Sequence, residues 1–453
     1  MVGRMLVGSG AGFSGDRLDA PGAVVRELRS SGERSAIIFE TLGERTLALA
    51  QLRRRVDPAV GYEPKLEPLL RSILPDCLDG SITIVGNFGA ANPPAATELI
   101  ARLVRQISRY ARIATVTGDD MLGPAGLEIL RACCDELPNE KLLVSANVYL
   151  GAAPIVEALG QGAQIVVTGR VADPSLTLAP LIHAFGWQED DWQRLGRGTM
   201  AGHLLECGAQ VSGGYYADPG FKDVPALEDI GYPIARIDAD GSFAVGKAAG
   251  GGLVDRRTVT EQLLYEVHDP AAYLTPDVTA DISNASVSEL GNDWVRVDGV
   301  TGHARPERLK VTVCYDGGWL AEGEISYFGP NAPARARLAA EIVRKRSPRG
   351  LRIRCDVIGV LSVLADDAGE SWELLNGIAD SEAEDVRLRV AFAGAEKEQV
   401  ERGLAEVEAL YCTGPAGGGG VRLALRPRIA AMSCYVPRNS VRPQVHLRET
   451  GDG

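Results

Sequence analysis

Over its first 200 residues, the chain alternates short apolar or β-branched runs with segments of helical periodicity. The predicted strands cover residues 5–8, 36–39, 82–85, 113–116, 142–145 and 165–167. Between them, segments such as residues 99–107 repeat apolar side chains at the spacing of one helix face. This alternation indicates a parallel sheet covered by helices. We therefore predict an α/β fold with an open, mostly parallel, doubly wound sheet. A closed barrel of the same units is the alternative.

The pattern changes beyond this region. Residues 201–280 combine glycine-rich loops, as at Gly250-Gly251-Gly252, with a short helical segment. From residue 281 onward, paired strands alternate with helices, and a hairpin is predicted to turn at Asp316-Gly317-Gly318. We therefore predict an α/β domain over residues 1–200, a connecting segment over residues 201–280 and an α+β domain over residues 281–453.

Charge and composition exclude several classes of function. The 453 residues carry a formal net charge of −13, which argues against nonspecific binding to nucleic acid or to an anionic membrane, since both need a basic surface. No apolar run approaches the roughly 20 residues that cross a bilayer. The eight cysteines include no CxxC pair, and the first residues resemble a strand rather than a signal peptide. We expect a cytoplasmic protein with reduced thiols.

The loop after the first predicted strand has the pattern G-x-G-x-x-G at Gly10, Gly12 and Gly15. Glu40 ends the second strand, where a ribose-binding acid lies in dinucleotide-binding folds. Asp16 opposes this interpretation, because it places a negative charge where a phosphate would bind. The pattern leaves three alternatives open, which are a tight structural turn, a substrate-binding loop and an NAD(P) site.

Polar residues follow the predicted strands at the points where these strands end. They are Glu40, Asn87, Asp119, Asn147, Arg170 and Asp173. Because ligands bind outside the carboxyl ends of parallel strands, we predict a small-molecule site at this edge. Arg170 is the candidate anchor for an anionic group, with a structural ion pair as the alternative. Asp119-Asp120 offers oxygen ligands for Mg²⁺, but adjacent carboxylates at a helix start more often cap the helix, so we predict no metal site.

A third pattern, His203-x-x-Glu206-Cys207, places His203 and Glu206 on one face of a helix. Such a pair can act in acid–base catalysis and Cys207 can act as a nucleophile, although these residues also fit a helix core.

The glycine-rich run around Gly418, followed by Arg422, can order over a ligand or serve as a flexible connector. It lacks the Lys-Ser/Thr of a triphosphate-binding loop.

Seven runs resemble the acyclic terpene utilisation protein A family. They are GAGFSGD (10–16), NFGAANP (87–93), TGDD (117–120), VTGRVAD (167–173), LLECG (204–208), KDVP (222–225) and GPAGGGGVR (414–422). The resemblance covers essentially the whole chain. It implies a role in bacterial catabolism of citronellol- and geraniol-type acids through coenzyme A thioesters. Longer relatives continue into a small ferredoxin-like domain that this sequence does not contain, so the resemblance implies a separate small ferredoxin-like subunit. A homo-oligomer is also left open.

The strand-end pattern predicts an enzyme, and the resemblance implies an acyl-coenzyme A or branched carboxylic substrate, which together suggest hydratase, lyase or proton-transfer chemistry. Glu40, Asp119 and His203 are the candidate catalytic residues, because forming an enolate needs a base. Asn87 and Asn147 would donate to the enolate oxygen. The predicted substrate-binding residues are Gly10, Gly12, Asp16, Asn87, Asn147, Arg170, Asp173, Gly418 and Arg422. The alternatives are an NAD(P)-dependent oxidoreductase and a noncatalytic subunit of an acyl-processing complex.

Overall fold

The computed structural model describes residues 3–366 and 383–450. It consists of two compact units, the first comprising Met1–Cys314 with Ala431–Gly453 and the second comprising Tyr315–Ala430. The predicted boundaries at residues 200 and 280 both lie inside the first unit. This arrangement arises because strands between residues 233 and 298 extend the sheet that the N-terminal strands begin.

Helices and strands alternate through the N-terminal part of the chain, and the bounds of the α-helices and strands along the whole described chain are as follows. The helices are α1 (Ala20–Ser31), α2 (Glu44–Val56), α3 (Leu66–Arg71), α4 (Leu74–Asp79), α5 (Pro93–Gln106), α6 (Pro124–Cys133), α7 (Ala153–Gly160), α8 (Ser175–Phe185), α9 (Trp192–Glu206), α10 (Arg256–Leu264), α11 (Ala332–Arg346) and α12 (Lys397–Thr413). The strands are β1 (Arg4–Ala11), β2 (Arg34–Phe39), β3 (Thr83–Gly86), β4 (Arg112–Thr117), β5 (Leu143–Val148), β6 (Ile165–Thr168), β7 (Pro233–Asp238), β8 (Phe243–Lys247), β9 (Tyr273–Leu274), β10 (Thr279–Asp281), β11 (Ser286–Gly291), β12 (Trp294–Asp298), β13 (Thr301–His303), β14 (Arg308–Phe328), β15 (Arg352–Ile358), β16 (Asp385–Gly394), β17 (Gly419–Pro437) and β18 (Gln444–Glu449). Among the described residues, no helix has the length and apolar character needed to cross a membrane.

The first unit is built on a ten-stranded sheet in the order β11-β12-β8-β7-β1-β2-β3-β6-β4-β18. The neighbours in the run β1-β2-β3-β6-β4 are parallel, and antiparallel strands extend this run on both sides. The predicted α/β fold with an open parallel N-terminal sheet is therefore confirmed. β5 differs from the prediction, because it pairs with β14 outside this sheet. The Tyr149 N–H, directly after β5, donates to the Lys310 carbonyl at 2.9 Å.

Apolar side chains from alternate strand positions bury the helices against the sheet. One core cluster joins Leu6 and Ile37 of the strands to Leu28 of α1. Adjacent strand residues point to opposite faces. Val7 points away from that cluster and is nevertheless fully buried. Helices α8 and α9 also contact β1. The sheet is thus covered on both faces at β1, which leaves the strand end there as the place for a polar loop.

In the second unit, the strands lie in the order β15-β16-β14-β17, and β16 is antiparallel to both β14 and β15. The predicted hairpin at Asp316-Gly317-Gly318 is wrong, because β14 continues through these residues as one strand. Gly318 has a φ of 87°, a conformation that glycine adopts easily, and the strand continues past it without reversing. From Trp319 onward, ladder pairing with β16 holds β14 in its extended course.

Cys134 and Cys434 form a disulfide within the first unit, although 300 positions separate them in the sequence. Cys134 follows α6 and Cys434 lies near the end of β17, and their Cα atoms are 5.8 Å apart. The expectation that all thiols are reduced is therefore wrong for this pair. Sequence spacing could not reveal it, because the two residues meet only through the fold.

The disulfide predicts a specific thiol count. In protein unfolded without reductant, an alkylating reagent should modify six cysteines, because six of the eight are free. After reduction, all eight should react. Intact-mass spectrometry distinguishes the two results directly, and modification of eight cysteines before reduction would contradict the pairing.

Candidate active site

A cavity of about 640 Å³ lies in the first unit beside the carboxyl ends of β1, β2 and β6. Its acidic lining residues are Asp16, Glu40, Glu44, Asp173, Glu206 and Glu266, and its cationic lining residues are Arg170 and Lys310. The loops after parallel strands meet at one edge of the sheet, which explains the convergence. The sequence-predicted residues that line the cavity are Gly12, Asp16, Glu40, Arg170 and Asp173.

The first glycine loop packs against protein atoms. A side chain at Gly12 would place its Cβ 2.4 Å from the backbone nitrogen of Gly208, so only glycine fits this approach. The Gly12 N–H donates to Asp16 Oδ2 at 2.7 Å, and the Tyr232 hydroxyl donates to the other oxygen of Asp16. In this conformation the Asp16 carboxylate accepts the hydrogen bond of the Gly12 N–H, which a bound pyrophosphate would otherwise accept. The arrangement therefore does not favour the dinucleotide interpretation.

Glu40 is a buried carboxyl held at the cavity by its neighbours. Its Oε1 accepts hydrogen bonds from Asn87 Nδ2 at 2.9 Å and from the Leu42 N–H at 2.8 Å. Asn87 Oδ1 accepts from the Thr41 N–H at 2.8 Å, so both ends of the amide are engaged. Burial raises the pKa of Glu40 above its ordinary value, although the charge of Arg170 opposes this rise. Asn87 therefore orients Glu40 and does not itself line the cavity.

Arg170 forms part of the cavity wall and is 1% exposed. Its guanidinium donates from Nε to the Val171 carbonyl at 2.9 Å, from Nη1 to the Leu42 carbonyl and from Nη2 to Asp173. The Nη1 bond connects the loop after β6 to the loop after β2, whereas the other bonds stay within the loop after β6. These bonds occupy the guanidinium within the wall, as expected for the structural alternative to anion binding, and the anion-anchor role stays a prediction.

Asp119 and Asn147 lie behind Arg170. Asp119 Oδ2 accepts from the Arg170 N–H at 2.9 Å and from Asn147 Nδ2 at 2.8 Å. Burial raises the pKa of Asp119 to about 6, and the two hydrogen bonds oppose that rise. Neither Asp119 nor Asn147 is among the cavity-lining residues, so their contacts support the wall from outside.

Glu206 is the cavity-lining member of the His203 pattern. Its Oε1 lies 2.8 Å from His203 Nδ1, whereas its buried Oε2 has no hydrogen-bond partner among the described residues. Burial raises the pKa of Glu206, and its position at the last residue of α9, the negative end of the helix dipole, acts in the same direction. His203 lies behind Glu206, packed against the ring of Tyr273. The sequence therefore predicted the pair but not which member faces the cavity.

Cys207 lines the same cavity next to Glu206. Burial raises the pKa of Cys207 to about 12, so its thiol is protonated at neutral pH. This environment is that of an inert thiol rather than a nucleophile.

Lys310 is a cation in the cavity lining that the sequence analysis missed. It reaches the site from β14, where its Nζ lies 3.5 Å from Glu44 Oε1 and 5.0 Å from the ring centre of Tyr149. The Tyr149 hydroxyl donates to the same Glu44 oxygen at 2.7 Å. No local sequence pattern marks Lys310, because its position depends on the pairing of β5 with β14.

The remaining predicted residues lie elsewhere. A Cβ at Gly10 would lie 2.5 Å from the Phe39 ring, so this glycine provides space for core packing. Gly418 and Arg422 belong to the second unit. Within residues 3–366 and 383–450, no group of three or more His, Cys, Asp or Glu side chains is arranged to hold a metal ion.

Comparison with known proteins identifies the family. The model of the acyclic terpene utilisation family protein AtuA matches residues 5–447 of this chain. No curated protein matches the chain. The matched region contains every residue of the cavity lining and, except for Arg4, all residues of the parallel strands. The chain therefore belongs to the acyclic terpene utilisation family AtuA.

Proposed function

We propose that this protein is an enzyme that transfers protons to and from a branched acyl substrate, activated as a coenzyme A thioester, in a hydratase- or lyase-type reaction. The observation that carries the proposal is the pair of buried carboxyls, Glu40 and Glu206, on the wall of one cavity. Burial raises the pKa of both groups, so protonated and ionised forms lie closer in free energy near neutral pH than they do in water. Two such groups can serve as acid and base.

The chemistry requires charge stabilisation as well as proton transfer. Removing a proton from the carbon next to a thioester carbonyl places negative charge on the carbonyl oxygen. A cation near that oxygen stabilises the enolate, and Lys310 lines the same cavity. Glu206 has a free buried oxygen with which to accept the proton, and Glu40 is held in a fixed orientation by Asn87 and the Leu42 N–H.

The cavity also offers apolar contact for a branched chain. Phe13 and Tyr215 both line it and are 59% and 87% exposed, which is unusual for large aromatic side chains. Tyr215 has a φ of 63°, a conformation that costs energy for a residue other than glycine and is often retained at binding sites. A substrate with a polar reacting end and an apolar chain would match carboxyls on one part of the wall and aromatic rings on another.

The direct test is deuterium incorporation from D₂O into branched acyl-coenzyme A thioesters, followed by NMR and mass spectrometry. We expect the wild-type protein to exchange the proton on the carbon next to the carbonyl, and to convert matching unsaturated or 3-hydroxy thioesters. Phe13→Ala and Tyr215→Ala should raise the KM for branched chains about tenfold, while an acetyl thioester should be little affected.

The alternatives give different results in the same experiment. Nicotinamide-dependent oxidation or reduction without exchange would favour the NAD(P)-dependent oxidoreductase. Absence of both exchange and turnover, with thioester binding retained, would favour a noncatalytic subunit. Either result would overturn the proposed proton transfer.

A further inference from the structure

The sheet of the second unit buries one face against α11 and α12 and turns the other face away from these helices. Val390 and Phe392 of β16 belong to the buried core on the helix side. Because side chains alternate along a strand, Arg389, Ala391 and Ala393 lie on the opposite face. This opposite face is therefore lined by charged and small side chains.

Two alanines create a hollow on this face. Arg352 and Arg354 of β15 lie opposite Ala393 and Ala391 in the ladder, and Leu320 of β14 lies opposite Ala393 on the other side. The short alanine side chains leave a cavity of about 200 Å³ between longer neighbours. The charged residues that line it are Arg352, Arg354, Arg389 and Arg428. Within the described residues, the lining includes no carboxylate.

The arginines differ in how their charges are compensated. Arg389 lies between two carboxylates, with its Nη1 2.6 Å from Asp356 Oδ2 and its Nε 3.0 Å from Glu322 Oε1, and Arg354 Nε lies 3.0 Å from Asp356 Oδ1. The side chains of Arg352 and Arg428 make no hydrogen bond or ion pair with residues 3–366 or 383–450. The hollow thus carries excess positive charge on a chain whose net charge is −13.

We propose that this hollow binds a small diphosphate, either free or as part of a larger molecule. Guanidinium forks bind phosphate oxygens in pairs, and several forks around one concavity match a multiply charged anion better than a single carboxylate. The floor of alanine side chains allows the anion to approach the sheet closely. The net negative charge of the chain argues against a nucleic acid as the ligand.

The proposal concerns the second unit alone and does not depend on the chemistry of the carboxyl-lined cavity. Two sources of the ligand share the same chemistry, namely a free diphosphate and the diphosphate of coenzyme A. They can be separated by comparing inorganic pyrophosphate with coenzyme A as probes of the full-length chain.

We expect calorimetry at low salt to detect pyrophosphate binding. The double variant Arg352→Gln with Arg428→Gln should weaken it about a hundredfold, on the basis of about tenfold for each charged hydrogen-bonding partner. Arg387→Gln is the matched control, because Arg387 lies on the same face of β16 but outside the hollow, with its Nη1 2.9 Å from Glu324 Oε2. The control should retain wild-type affinity.

Competition between coenzyme A and pyrophosphate would support the site and identify the coenzyme as its source, whereas binding of pyrophosphate alone would support a free diphosphate. Absence of pyrophosphate binding at millimolar concentration would overturn the proposal. Equal weakening by the double variant and by Arg387→Gln would also overturn it, since that result indicates diffuse charge rather than a site. Deuterium exchange at the thioester is a separate readout, so either proposal can fail without the other.

Discussion

Replacing Glu206 with glutamine should reduce thioester deuterium exchange and turnover by about 10²- to 10⁴-fold, the usual contribution of a positioned acid or base. Glutamine keeps the shape of the side chain but can neither accept nor release the proton. Glu206 lines the cavity and leaves one buried oxygen without a partner among the described residues. The matched control is Glu63→Gln, which alters another buried carboxyl whose Oε1 accepts from the Lys65 N–H at 2.9 Å outside the cavity. Its turnover should stay near the wild-type value.

The stability of the Glu206→Gln variant distinguishes a catalytic effect from misfolding. The pKa of Glu206 is raised on folding, so the folded state binds more protons than the unfolded state between the ordinary and the raised pKa. The free energy of unfolding of the wild type therefore falls as pH rises through this window. At pH values above the window, the destabilisation by the buried carboxylate persists. Glutamine removes that cost. Urea unfolding at pH 8 should show a variant at least as stable as the wild type, and a destabilised variant would contradict the assignment.

A variant of His203 tests the catalytic role of Glu206 in a second way. A protonated His203 ring, through its charge and its hydrogen bond, lowers the pKa of Glu206 relative to burial alone. Replacing His203 with glutamine should therefore shift the Glu206 limb of the pH–rate profile to higher pH. A residue with a merely structural role would lower activity at every pH without moving that limb.

Part of the cavity wall could be predicted from a simple rule, although Asn87, Asp119 and Asn147 lie behind the wall and do not line the cavity. Parallel strands present their carboxyl ends at one edge, so Asp16, Glu40 and Arg170 meet even though more than a hundred residues separate the first from the last. Residues contributed by later elements could not be predicted in the same way. Lys310 enters through a long-range strand pairing and Tyr232 from the approach to β7, and neither belongs to a local motif.

Local patterns also failed where long-range contacts override them. Asp316-Gly317-Gly318 has the composition of a hairpin turn, yet pairing with β16 keeps β14 extended beyond it. Likewise, helical spacing placed His203 and Glu206 on one face without showing that Glu206, at the end of α9, faces the cavity. Which member of such a pair faces the cavity depends on how the whole unit packs, and sequence spacing carries no information about that packing.

Replacing Arg170 with methionine should lower the free energy of unfolding by about 3 to 5 kcal/mol, because it removes one partner from a buried charged network. Methionine has a similar length but no donors. The Leu42 and Val171 carbonyls would lose charged hydrogen bonds, and Asp173 would lose its cation. Urea unfolding measures this loss, and Arg170→Lys should restore part of it, since a single ammonium cannot reach both carbonyls as the guanidinium fork does.

The matched control for Arg170 is Arg112→Met, which removes an arginine whose Nε lies 3.0 Å from Glu449 at a side chain that is 45% exposed. Exposed ion pairs contribute about 1 kcal/mol or less, so this variant should remain close to wild type. If Arg170→Met were as stable as the control but lost affinity for thioesters, Arg170 would be the anion anchor that the strand-end pattern first indicated. If stability falls as expected, the guanidinium joins the loops after β2 and β6. It would then fix the distance between the carboxyl of Glu40 and the rest of the cavity wall before any substrate arrives.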